Sequence, residues 1–210
     1  MINKILILGA TGALGKVLTN SFLLKNYQVK ALVRNPEKLK ITNNNLRVLK
    51  GDVTNSSDLI EALSGVDVVV SCLGHGFRTR FPIQEKTMKA LIPLMEKSKT
   101  KRMIAVTGEG LLTDHDVQSV TSKINFKLFS LVDPYRMSDA QSQQSLLEGS
   151  KLLWTVVRTP VHTDGRNRKV NHSGYSHPPM WKTISRKAIA EFIAECIEKD
   201  LWINKSPIIY

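Results

Sequence analysis

The chain has 210 residues, a formal charge of +12, 42% hydrophobic and 23% charged residues. That length suits a core needing no disulfide or metal staple, and the composition excludes a disordered chain. Cys72 and Cys196 each lie inside an apolar run, which excludes a disulfide scaffold and reads as buried thiols in a reducing, cytoplasmic setting. No run approaches the ~20 apolar residues needed to span a bilayer. The apolar stretch Ile5 to Leu8 is broken by Gly9, too early for a signal-peptide core. Basic residues are scattered, with short clusters only at Lys97 to Arg102 and Arg166 to Lys169, and no aromatic residues alternate with them. Specific nucleic-acid binding is therefore not expected; a solvated basic surface and an anionic cofactor account for the charge.

Ile5 to Leu8 reads as a buried strand. It passes into Gly9-Ala10-Thr11-Gly12-Ala13-Leu14-Gly15 and then a helix in which Leu14, Val17, Leu18 and Phe22 recur at helical spacing. Val29 to Val33 and Leu46 to Leu49 are the second and third strands. Asp58 to Leu63 is a short helix with Ser56 or Ser57 as its cap. Val66 to Leu73, nearly all apolar, suits a fourth strand covered on both faces. Glu85 to Lys97 is a helix in which Pro93 predicts a kink. Met103 to Thr107 is the fifth strand, Met137 to Leu147 a polar-faced helix and Trp154 to Arg158 the sixth strand. Lys187 to Ile197 is a last helix and Pro207 to Tyr210 a candidate last strand. This alternation predicts βαβ units: an α/β, Rossmann-like doubly wound parallel sheet in a single domain. Thr159 to Thr183, rich in proline, histidine and basic residues, is predicted as an irregular substrate-side segment over the carboxyl ends of the strands, where ligands bind in open α/β sheets. Trp154 and Trp181 read as core and loop packing.

The first turn has the pattern GxxGxxG between a strand and a helix. Glycine permits the tight turn and lets the backbone approach a pyrophosphate, while the helix start offers free N–H groups and a positive dipole end. Thr11 offers a hydroxyl. The alternative is a turn kept only for close helix–strand packing. Dinucleotide sites for NAD place an acid at the end of the second strand. Here Arg34 stands there, with Lys38 nearby, and a guanidinium can grip the 2′-phosphate of NADP. NADPH is the expected cofactor. Asp52 either flanks the adenine or forms the Gly51-Asp52 turn.

These segments, together with Leu32-Val33-Arg34, Gly51-Asp52-Val53, Val70-Ser71-Cys72-Leu73-Gly74 and Val156-Val157-Arg158-Thr159-Pro160, resemble the atypical short-chain dehydrogenase/reductase family in its NAD(P)H-binding, NmrA-like branch. Within it they are most similar to the biliverdin-IXβ reductase, or flavin reductase, group. The resemblance implies that Gly9, Thr11, Gly12, Ala13, Leu14 and Gly15 cradle the pyrophosphate. It implies that Arg34 and Lys38 contact the 2′-phosphate and that Asp52 and Val53 contact the adenine. Leu73 and Gly74 would lie along the ribose, and Thr107 takes the Ser/Thr position near the nicotinamide.

The chain departs from the family's Tyr-x-x-x-Lys pair, because Asp139 follows Tyr135 at that spacing. No lysine depresses the pKa of Tyr135, so carbonyl reduction by the usual acid is not expected. Hydride transfer to a flavin, quinone or other planar acceptor asks less of the protein, which positions two rings and excludes water. The alternative is a non-catalytic NmrA-like NAD(P)H sensor that binds a regulatory partner. A sugar-nucleotide-modifying or isoprenoid-modifying enzyme is disfavoured by the missing pair. The expected partner is a small planar substrate, with no membrane; a monomer suits the sequence. His162, after the sixth strand, is a candidate proton donor or stacking ring, or else an exposed loop residue. His75, Arg78 and Arg80 are candidate cofactor or substrate contacts. His162, His172 and His177 match no metal-ligand spacing, so no metal is expected.

Overall fold

The computed structural model describes residues 2–75, 80–117, 126–127, 131, 133–167, 169–179 and 181–210. The elements are β1 (Lys4–Leu8), α1 (Ala13–Leu24), β2 (Gln28–Val33), β3 (Leu46–Lys50), α2 (Ser56–Leu63), β4 (Val68–Ser71), α3 (Ile83–Lys97) and β5 (Arg102–Gly108). They continue with α4 (Pro134–Glu148), β6 (Leu153–Thr159), β7 (Val161–Thr163), β8 (Ser173–Gly174), β9 (Thr183–Ser185), α5 (Arg186–Glu198) and β10 (Ile208–Ile209). The main sheet has the order β3-β2-β1-β4-β5-β6-β10-β8. Every pairing in it is parallel except β8 on β10. This is the doubly wound α/β architecture that the alternation predicts, and the order reverses between β1 and β4.

Alternation along the strands feeds two cores. Ile5 and Ile7 of β1 face α1 and α5 with Leu18, Phe22, Ile189 and Ile193. Leu6 and Leu8 face α2, α3 and α4 with Leu59, Met88, Leu91 and Leu147. A strand buried on both faces has no polar side to show, which is why β4 reads as a nearly all-apolar run. Truncating one of these leucines to alanine removes roughly 2–5 kcal/mol, the transfer term plus the cavity left behind.

Several local expectations are corrected. Asn55, not Ser56 or Ser57, caps α2: its Oδ1 accepts from Ser57 N at 2.9 Å and Asp58 N at 3.5 Å. As expected, Pro93 lies inside α3, which continues to Lys97. The Thr159 to Thr183 segment is stitched into the fold, since β7 pairs in parallel with β9 and β8 adds to the sheet edge at β10. Trp154 is buried, but Trp181 is 81% exposed and is not loop packing. Both cysteines are free. Among the described residues, no helix is long and apolar enough to cross a membrane.

Among the described glycines the tightest approach is at Gly15. A Cβ there would stand 2.1 Å from Gly9 O and 2.7 Å from Ala10 Cα. Backbone cannot yield as a side-chain tip can, so Gly15→Ala should cost roughly 1–3 kcal/mol by overpacking. Urea unfolding checks this. A variant as stable as the parent would mean the contact is slack.

Candidate cofactor and substrate site

The carboxyl ends of β1, β4, β5 and β6 meet along one edge of the sheet. At β1, Gly9 has φ +90°, a left-handed conformation that a side chain disfavours, and a Cβ there would meet the Cys72 backbone at 3.0 Å. Gly12 N donates to Gly9 O at 3.0 Å and closes the turn. Gly12 is the N-cap of α1; it supplies no side-chain cap, and the first turn carries no acid. Gly12 and Ala13 are exposed, Gly9 and Thr11 half-buried, Leu14 and Gly15 buried. The helix start thus presents its N–H groups and dipole to the outside with no side chain of its own satisfying them.

Arg34 and Lys38 are exposed just past β2, where Asn35 Oδ1 accepts from Glu37 N at 3.2 Å and starts a 3-10 turn, Pro36–Lys38. Asp52, past β3, accepts from Thr54 Oγ1 at 2.7 Å and Thr54 N at 2.8 Å. Those bonds hold its carboxyl below the usual pKa, and the charge of Arg34 adds to the effect. Asp52 thus closes its turn on Thr54, with Arg34 in its field. Val53 is buried in the core under α2 and α3. Past β4, Leu73 is half-buried and its carbonyl accepts from Gln84 Nε2 at 3.0 Å; Gly74 is exposed.

Thr107 and His162 are joined through a residue the sequence reading did not single out. Thr159 Oγ1 donates to Thr107 O at 3.2 Å and lies 2.7 Å from His162 Nε2. Thr159 thus holds the His162 ring by its Nε2. Burial, with the charge of Arg186 second, pushes the His162 pKa down to about 4. The ring is neutral at physiological pH.

His75 does not face a ligand. Its side chain is 2% exposed and its Nε2 lies 2.6 Å from Asp139 Oδ2. Asp139 also accepts from Gln84 N at 2.9 Å and Glu85 N at 2.8 Å, capping α3 from α4. The carboxylate four residues after Tyr135 is thus spent on holding two helices together. Arg80 stands 5.0 Å over the Tyr135 ring; Arg78 lies outside the described residues. His172 stacks on Tyr210 with centroids 4.6 Å apart. His177 donates to Asp116 Oδ2 at 3.0 Å. The three loop histidines therefore have separate partners.

Asp116 belongs to a buried network. Arg158, fully buried on β6, grips it bidentately at 2.7 and 2.6 Å and donates to Leu111 O and Ser206 O, both at 2.8 Å. Burial opposes the charge on Asp116, but bonds from His177 and Arg158 outweigh it and hold the carboxyl far below its usual pKa. Glu109, just past β5, has a buried carboxyl oxygen without a partner, and burial raises its pKa to about 6. Neither Asp116 nor Glu109 stands in a motif, so only the fold brings them to this edge.

A model of an NAD(P)H-binding family matches residues 9–200. The chain belongs to this NAD(P)H-binding family. A probable pinoresinol-lariciresinol reductase 3 of Arabidopsis thaliana is 32% identical over 143 residues, 63% of this chain and 45% of its own. The chain spans less than half the length of such curated relatives. An anaerobilin reductase, ChuY, of Escherichia coli superposes with a TM-score of 0.77 at 17% identity, covering 99% of this chain and 96% of its own. A short-chain dehydrogenase/reductase of Veillonella parvula in complex with NADP gives 0.76 at 17%, covering 100% and 94%. These superpositions establish the fold. The residues of this NAD(P)H-binding protein fit the cofactor: a cradle that Cβ atoms would fill, at a helix start with no side-chain cap.

The half-buried, neutral His162 makes a direct prediction. A folded pKa below the unfolded value means the group favours the native state above 6.5 and loses that contribution as pH falls toward 4. NMR titration should find His162 uncharged down to about pH 5. A midpoint at the ordinary histidine value would contradict the burial of the ring and the nearby charge of Arg186.

Proposed function

We propose that the chain is an NADPH-dependent reductase that transfers a hydride to a planar acceptor such as a flavin or quinone. The observation that carries this reading is the neutral Thr107–Thr159–His162 linkage at the carboxyl ends of β5 and β6, on the same edge as the glycine turn of β1. It offers polar contacts without a charged acid. Asp139, at the spacing of the family's catalytic lysine, is committed to His75 and the start of α3. An acceptor whose ring is already electron-poor needs no stronger acid, and water supplies the proton. The relatives named as reductases, and the fold shared with an anaerobilin reductase, support the same class. The biliverdin-IXβ reductase-like assignment rests on His162 together with that likeness.

In this reading the pyrophosphate sits on Gly9, Thr11, Gly12, Ala13, Leu14 and Gly15, where Thr11 adds a hydroxyl. Arg34 and Lys38 hold the 2′-phosphate, which selects NADPH over NADH. Asp52 and Val53 flank the adenine, and Leu73 and Gly74 line the ribose. The bound nicotinamide supplies the hydride. Thr107 orients the nicotinamide, and His162 orients the acceptor through a ring nitrogen or by stacking, with Thr159 holding its Nε2. Proximity and exclusion of water are the chain's main contributions.

The test is NADPH consumption with FMN, FAD and simple quinones. Turnover that falls on His162→Ala supports the reductase; tight NADPH binding with no turnover on any acceptor overturns it and favours an NAD(P)H sensor. Arg34→Ala should weaken NADPH about ten-fold or more and NADH less than about two-fold, since one charge-assisted phosphate contact is lost. Equal losses would contradict the 2′-phosphate role.

A further inference from the structure

Arg186 is the first residue of α5 and follows β9 directly. Because β9 pairs in parallel with β7, Ile184 lies opposite His162 and Ser185 opposite Thr163. The Arg186 guanidinium accordingly emerges at the end of β7, close enough to His162 for its charge to disfavour the imidazolium. Its side chain is 18% exposed, yet its ion-pair partner, Asp164, is 88% exposed. Arg186 Nε is buried and has no hydrogen-bond partner. A half-buried guanidinium, clipped on one side by a solvent-exposed carboxylate and with Nε unpaired, has donor capacity left over.

The surrounding segment supplies no acid beyond Asp164. Between Thr159 and Lys187 the sequence holds Arg166, Arg168, Lys169, Lys182, Arg186 and Lys187 against one acid, Asp164. Arg166, Lys169 and Lys187 are exposed. The turn after Asp164 is pinned to the start of α5, where Ser185 Oγ donates to Asn167 O and accepts from Ala188 N. The guanidinium is thus held in place beside a neutral imidazole, within a cationic rim.

We propose that Arg186 is an anion anchor of the substrate site. It binds a carboxylate or phosphate carried by the acceptor while the acceptor ring rests against His162. The acceptor class is thereby narrowed to planar rings bearing an anionic side group, which rests on the reductase reading above. The same donor geometry would suit a phosphate of the cofactor, and binding measurements separate the two sources.

FMN and riboflavin share one ring and differ by a phosphate. Their affinities are measured by fluorescence quenching for the NADP+-saturated parent, Arg186→Ala and Arg186→Lys, and NADPH affinity is measured for each without flavin. The parent should bind FMN about ten-fold more tightly than riboflavin, as one charge-assisted contact predicts. Arg186→Ala should erase that difference, Arg186→Lys should restore part of it, and NADPH affinity should stay within about two-fold. Loss of NADPH affinity without loss of FMN would give the guanidinium to the cofactor and overturn the proposal. So would a parent that does not bind FMN or does not prefer it, or an alanine variant that keeps the preference, since Arg186 would then serve only its pair with Asp164. Binding is read without turnover, so a chain that reduces no acceptor fails the reductase reading and leaves this result standing.

Discussion

The fold of this protein turns on the contact between Gly15 and the backbone of Gly9 and Ala10. With no Cβ at position 15, α1 starts almost on top of the end of β1, at a separation no other residue permits. Two consequences follow from that closeness. The apolar side chains of α1 reach the sheet, so Leu18 and Phe22 are wholly buried. The N–H groups at the start of α1 also point past the end of β1, into the space where the strand order reverses. Close packing and an uncapped helix start thus have one cause, which is why the motif serves both readings that its sequence allows.

The other end of the site depends on a buried charge. Arg158 would be costly to bury alone; bidentate pairing with Asp116, and bonds to Leu111 O and Ser206 O, satisfy it. Removing Asp116 from such a pair costs about 3–5 kcal/mol, because the guanidinium is left uncompensated. His177 and the Val117–Ser176 bridge tie the substrate-side segment to the same carboxylate and loop. The segment that carries His162 is therefore fixed from both sides, by this network and by the β7–β9 pair. A rigid edge of this kind is what a reaction governed by ring placement requires.

The sheet was legible because its signals are local. Apolar runs separated by amphipathic stretches define βαβ units, and GxxGxxG between a strand and a helix has few alternative uses. Arg34 was legible for the same reason, since its position after β2 follows from the strand count. Thr159, Asp116, Glu109 and Arg186 were not. Each acquires its role from a partner more than twenty residues away, or from burial, and neither is written in spacing. His75 shows the reverse failure: its place after β4 suggested a ligand contact, but Asp139, brought in by α4, draws it under the surface. The Thr159 to Thr183 segment misled because strands of two or three residues carry no periodicity to detect.

The central claim is that NAD(P)H lies across the start of α1. Backbone amide NMR with added NADP+ tests it most directly, because it reads the N–H groups themselves. The account predicts that the largest shifts fall on Gly12, Ala13, Leu14 and Gly15, with smaller ones at Arg34 and Gly74. Saturable binding that leaves the Gly12 to Gly15 amides unmoved, with its shifts elsewhere on the chain, would contradict it.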